Sequence, residues 1–148
     1  MTVIIVSGTP GTGKTTYAKK LAKEMKVKYV NVNKVIDDLN LSEGFDKERD
    51  TKIIDISKLK KALIELIKKE KDVVIDSHLS HYLPNKFVDK CIITKCNLKE
   101  LKARLENRGY SKKKVRENLD AEIFDVCRVE AKENGHHIEI IDTSTQKH

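Results

Sequence analysis

Apolar and polar positions along the chain follow two periods. Thr2–Ser7 is a short β-branched run that reads as a buried strand, and Lys28–Val32, Asp72–Asp76, Phe87–Thr94 (after Pro84) and His137–Ile141 read as further strands. Helical spacing lies between them. Lys14–Met25 places Tyr17, Ala18, Leu21, Ala22 and Met25 on one stripe. Ser57–Glu70 turns Leu59, Leu63, Leu66 and Ile67 inward, with Ser57 as N-cap. Asn97–Asn107 has Asn97 as cap and Glu100 at the third position after it, and Gly109 ends it. Ser111 caps a longer helix running to about Asn134, stopped by Gly135. Residues 33–55 are polar and irregular, with a short helix near Val35–Leu39. Alternating strands and helices predict an α/β fold: a five-stranded parallel sheet with helices on both faces. Ligands bind such sheets at the carboxyl ends of the strands, so functional residues belong just after strands.

The first strand runs directly into Gly8-Thr9-Pro10-Gly11-Thr12-Gly13-Lys14-Thr15, which fits G-x-x-x-x-G-K-[ST] between a strand and a helix. Glycines let the backbone approach phosphate oxygens, and successive N–H groups and the helix N-terminus then face the anion. Lys14 is expected to reach the β and γ phosphates, and the Thr15 hydroxyl to ligate Mg²⁺. A second expectation falls at the end of another strand. Asp76, in Val73-Val74-Ile75-Asp76-Ser77-His78, is placed to hold Mg²⁺. His78 has three possible roles: orienting a water, general base, or hydrogen bond to phosphate. Guanine-specific loops of this class carry N-K-x-D. Asn33-Lys34-Val35-Ile36 and Asn85-Lys86-Phe87-Val88 begin that way and lack the Asp, which favours adenine.

At 148 residues the chain suits one domain, 1–148. Hydrophobic residues are 39% and charged residues 36%, a globular composition. No apolar run approaches a bilayer span, no membrane partner is expected, and the N-terminus has no signal-peptide pattern, so the expected location is cytoplasmic. Cys91, Cys96 and Cys127 form no CxxC and read as free thiols in a reducing compartment. Lys+Arg is 30 against Asp+Glu 23, net +7, which suits anionic partners such as nucleotides or RNA. Lysine dominates, so the five arginines, Arg49, Arg104, Arg108, Arg116 and Arg128, stand out. Arg104 and Arg108 share a helix face four residues apart, and Gly109 lets the chain swing beyond them. Guanidinium groups there can stabilise a transferring phosphoryl and stack on adenine.

These residues resemble the adenylate kinase isoenzyme six family, the small nucleoplasmic and archaeal adenylate kinases. The resemblance spans nearly the whole chain. It rests on the phosphate loop through Thr16, Tyr29-Val30-Asn31-Val32, Glu43-Gly44-Phe45-Asp46, Asp76-Ser77-His78 and Arg104-Leu105-Glu106-Asn107-Arg108-Gly109-Tyr110. It implies a P-loop NTPase fold of nucleoside-monophosphate-kinase type, with a monophosphate-binding segment at about 31–54 and a short lid at about 107–117. ATP would be held by Gly11, Gly13, Lys14, Thr15, Thr16 and Arg108, with Arg104 beside them. The catalytic set would be Lys14, Asp76, His78 and Arg108. Thr15 and Asp76 would be the Mg²⁺ ligands, and ATP and AMP the substrates. The family is similar also in an ATPase activity tied to Asp-x-His, and in small ribosomal subunit maturation with a platform ribosomal protein and pre-ribosomal RNA. One departure stands out: relatives carry an arginine where this chain has Asp37. Arg49 remains in that segment, and Lys34 or Lys47 lack bidentate geometry.

Three readings follow. The first is an adenylate kinase, Mg·ATP + AMP ⇌ 2 ADP. The second is an ATP-driven assembly factor acting on a protein–RNA particle, suggested by the net charge, the Lys112-Lys113-Lys114 tract and His78. The third is a kinase for another small acceptor, distinguished at about 31–54.

Overall fold

A computed structural model describes residues 2–47, 51–77 and 80–145. Arg49, His78 and His148 therefore lie outside the described residues. In chain order the elements are β1 (Thr2–Gly8), α1 (Lys14–Met25), β2 (Lys28–Asn31), α2 (Val32–Asp38), β3 (Ser42–Asp46), β4 (Thr51–Ile54), α3 (Ile56–Glu70) and β5 (Asp72–Asp76). Two single 3₁₀ turns, Ser80–Tyr82 and Asn85–Phe87, lead into β6 (Lys90–Lys95), α4 (Leu98–Asn107), α5 (Lys112–Ile123), α6 (Val126–Glu133) and β7 (Ile138–Asp142).

Five strands form one sheet in the order β2-β5-β1-β6-β7, every pair parallel. The two-residue period of β1 sorts its side chains. Val3 and Ile5 join a core with Ile36, Leu59, Leu63, Ile67 and Ala131, from α2, α3 and α6. Ile4 and Val6 meet Ala18 and Ala22 of α1 on the other face. Both faces are thus covered, as a parallel sheet requires. A third cluster, Leu101, Leu105, Val115 and Cys96, joins α4 to α5.

Several boundaries differ from the sequence expectation. The cap of α3 is Asp55, whose side chain accepts from Lys58 N–H, and not Ser57. Helix α2 begins at Val32, capped by Asn31, three residues before the expected start at Val35. The fourth sheet strand starts at Lys90, because Pro84 opens a 3₁₀ turn at Asn85–Phe87. The expected long helix to Asn134 is two helices. Asp125 breaks it with a left-handed backbone, φ 57°, pinned by ion pairs to Lys95 at 2.6 Å and to Arg128. The segment 33–55 also holds an antiparallel hairpin, β3–β4, which the polar pattern concealed.

Candidate active site

The phosphate loop leaves β1 at the carboxyl edge of the sheet. Gly8 and Gly11 are its sterically committed glycines. At Gly8, φ is +143° and a Cβ would lie 2.6 Å from Thr94 Oγ1; at Gly11, φ is +93° and a Cβ would lie 2.9 Å from Leu101 Cδ1. Thr12 donates to Thr9 C=O at 2.6 Å and meets Thr94 Oγ1 at 2.8 Å. Buried Glu122 of α5 accepts from Thr9 Oγ1 at 3.2 Å and Cys96 N–H at 3.0 Å. Arg104 donates to the carbonyls of Gly11, at 3.2 Å, and Thr143, at 2.9 Å, and pairs with Glu100 at 3.0 Å. Arg104, expected beside the nucleotide, fastens the loop to the residue after β7 through these bonds.

Asp76 ends β5, the neighbour of β1, and is buried. Its Oδ2 accepts from Thr15 Oγ1 at 2.8 Å and from Tyr29 O–H at 2.6 Å. The Tyr29 hydroxyl is held well above the usual phenol range, by burial first and then by this carboxylate, so it stays a donor. Burial lowers the Lys14 ammonium below its ordinary range; Asp76 opposes that shift and Arg108 adds to it. Lys14 and Arg108 thus line one space, an arrangement suited to a polyanion.

Gly11, Lys14, Thr15, Asp76 and Arg108 line one cavity of about 400 Å³, together with Asn31, Asn33, Tyr82, Cys127 and Glu130. Gly11 and Arg108 also line a neighbouring depression of about 540 Å³, with Gly13, Thr16, Arg104, Thr143 and Thr145. The residues singled out in the sequence and described in the structure therefore converge on two adjoining spaces that share Gly11 and Arg108. The three cysteines are free. Burial raises Cys127, beside Lys14, to about 11, an unreactive thiol at neutral pH. Among the described residues no helix is long and apolar enough to cross a membrane.

Sequence reading missed Tyr29 as an Asp76 partner, and it missed His81, Glu122 and Glu130. Buried His81 joins Ser7 Oγ at Nδ1, 2.9 Å, and Glu130 Oε2 at Nε2, 2.7 Å. A histidine in the turn after a strand-end Asp was the available signal for His81.

With the glycine loop and the carboxylate of Asp76 at the same edge of a β2-β5-β1-β6-β7 sheet, the molecule falls in the P-loop kinase fold class, of nucleoside-monophosphate-kinase type. A family model described as "AAA domain" matches residues 4–125. A Methanocaldococcus jannaschii protein named "Putative adenylate kinase" is 40% identical over 129 residues, 87% of this chain and 71% of that one. A Pyrococcus furiosus protein of the same name is 37% identical over 143 residues, 96% of this chain and 75% of that one. The chain belongs to this archaeal family of P-loop proteins. Shikimate kinase from Acinetobacter baumannii, solved with shikimate, shares the fold at TM-score 0.68 and 14% identity, over 99% of this chain and 86% of that one.

Proposed function

We propose that the chain is an adenylate kinase of the isoenzyme six type, moving the γ-phosphoryl of ATP reversibly to AMP to give two ADP. The observation that carries this is the Thr15–Asp76 pair, 2.8 Å apart, in one cavity with Lys14 and Arg108. Names of the archaeal relatives support the same reading. Lys14 and Arg108 bind and orient the phosphates, and the loop N–H groups carry the charge that builds on the transferring group. Tyr29 holds Asp76 in place. Gly13, Thr16 and the depression beside Arg104 take the rest of ATP. The acceptor enters past Asn31 and Asn33, within a monophosphate-binding segment at 31–54. A lid at 107–117 shuts out water, which favours transfer over hydrolysis.

Mg²⁺ fits this donor set. Thr15 and Asp76 present hard oxygens, and among the described residues no group of three or more His, Cys, Asp or Glu forms a cage. That suits an ion bound by one or two protein oxygens and completed by phosphates. When bound it neutralises charge on the β and γ phosphates.

A second reading, ATP hydrolysis coupled to a protein–RNA particle such as a maturing small ribosomal subunit, has its own support. Lys112, Lys113 and Lys114 occupy the first turn of α5, where positive charge opposes the helix dipole and the turn itself carries no acidic residue. In this reading His78 serves the hydrolytic reaction.

Coupled assays with ATP and AMP, CMP, UMP or dTMP test the acceptor. AMP is expected to give the highest kcat/KM. Phosphate release from ATP with no gain in ADP from any monophosphate would remove the kinase reading and leave the assembly-factor one. His78→Ala is expected to lower hydrolysis more than transfer; equal loss would remove its separate role.

A further inference from the structure

Phosphate binding makes no use of Glu130, a carboxylate in the same cavity as Lys14 and Thr15. Its Oε2 accepts from His81 Nε2 and from Tyr82 O–H, each at 2.7 Å. The opposite His81 nitrogen meets Ser7 Oγ at 2.9 Å, and Ser7 is fully buried in β1. A carboxylate on Nε2 assigns the ring proton there, so Nδ1 accepts from Ser7. The carbonyl of His81 takes His136 Nε2 at 2.7 Å and Asn134 Nδ2 at 3.3 Å. Ring and backbone are thus both fixed. This is the composition of a Ser-His-Glu array in reversed order: the serine is sealed in the core and the carboxylate faces the cavity. The nucleophile is therefore not Ser7.

A braced carboxylate in a phosphate site matters for one of two acceptors. A nucleoside monophosphate attacks through an oxygen already largely ionised at neutral pH, since its second pKa is about 6, and needs no base. For that acceptor a nearby carboxylate has no proton to take. Water must lose a proton as it attacks, and a fixed carboxylate is the group to take it.

We propose that Glu130 is the proton acceptor for ATP hydrolysis at this site, with His81 and Tyr82 as positioning residues. The inference rests on the reading that ATP occupies the phosphate loop. The water oxygen bonds to the γ-phosphorus as the bond from phosphorus to the bridging oxygen breaks. ADP leaves with that electron pair. One water proton passes to Glu130 and then to solvent as phosphate departs. The products are ADP and inorganic phosphate, and no other reagent is consumed.

Phosphate release from ATP, transfer from ATP to AMP and ATP binding, measured side by side, test this. In Glu130→Gln, phosphate release should fall about 100-fold in kcat while transfer falls less than about fivefold. The dissociation constant of ATP should stay within about threefold, because Glu130 does not hold the phosphates. Formate should restore part of the phosphate release to Glu130→Ala and do nothing for wild type. Tyr82→Phe should lower the ratio of hydrolysis to transfer in the same direction, by a smaller factor. Equal loss of both activities in Glu130→Gln, undiminished phosphate release there, or a split shown by His78→Ala alone would overturn the proposal. Wild-type transfer to AMP with no phosphate release would also overturn it, and leave the kinase reading standing. If wild type shows no ATP binding that Lys14→Ala abolishes, site reading and inference fall together.

Discussion

Glu122 shows how one buried carboxylate ties the phosphate loop to the sheet. It holds Thr9 Oγ1 and Cys96 N–H, with Lys95 Nζ 3.9 Å away. Glu122→Ala would leave a buried N–H without its partner, at a cost of about 1–3 kcal/mol, read as a lower midpoint in urea unfolding. Lys95 keeps Asp125 in that variant, so the loss belongs to the Thr9 and Cys96 contacts. His136 makes a pH prediction. Burial lowers its imidazole below the ordinary value, and the bond to the His81 carbonyl only partly opposes this. Below about pH 6.5 the unfolded chain takes up a proton that the folded chain resists, so stability present at neutral pH is lost on acidification. His136→Gln should show a shallower fall in stability between about pH 7.5 and 5.5 than wild type, measured by urea unfolding. At this scale the meeting of Thr15 with Asp76 beside Lys14 was legible, because the loop motif and a strand-end aspartate fall at one edge of the sheet. Tyr29, His81, Glu122 and Glu130 were not: their bonds to Asp76, Ser7, Thr9 and His81 span 47, 74, 113 and 49 residues, and no local pattern encodes them.

Elements were read best where burial dictates period. All five sheet strands were visible: β1, β5 and β6 are apolar through their buried middles, and the edge strands β2 and β7 carry short apolar runs although they are only partly covered. Caps Asn97 and Ser111 hold as expected, each accepting from the N–H three residues on. Asp55 and Ser57 are both capping types, and it is the Asp55 carboxylate that meets the N–H three residues on. The hairpin β3–β4 went unseen because Ser42–Asp46 is exposed along most of its length, so neither face carries a period. The break at Asp125 went unseen because aspartate is not a helix breaker by type; its ion pairs to Lys95 and Arg128 fix the kink. At the end of α1, exposed Lys26 adopts a left-handed backbone, φ 58° and ψ 44°. Glycine has no Cβ penalty there, so Lys26→Gly should stabilise the protein by up to about 1 kcal/mol, seen as a higher melting temperature.

At the scale of the whole molecule, parallel strands deliver the phosphate loop and Asp76 to one edge, and α4, α5 and α6 bring Arg108, Glu122 and Glu130 to it from the far end of the chain. Arg104 and Glu122 hold the loop at two points, one through the Gly11 carbonyl and one through Thr9. The net charge of +7 adds a long-range attraction for nucleotides, so ATP association should weaken as salt rises. Phosphorus NMR of the protein with Mg²⁺, ATP and AMP tests whether this edge moves a phosphoryl group from ATP to AMP. The two ADP resonances should grow at the expense of ATP and AMP, ahead of any inorganic phosphate, and Lys14→Ala should show no change. Inorganic phosphate accumulating from ATP while the AMP resonance stays constant would contradict transfer to AMP.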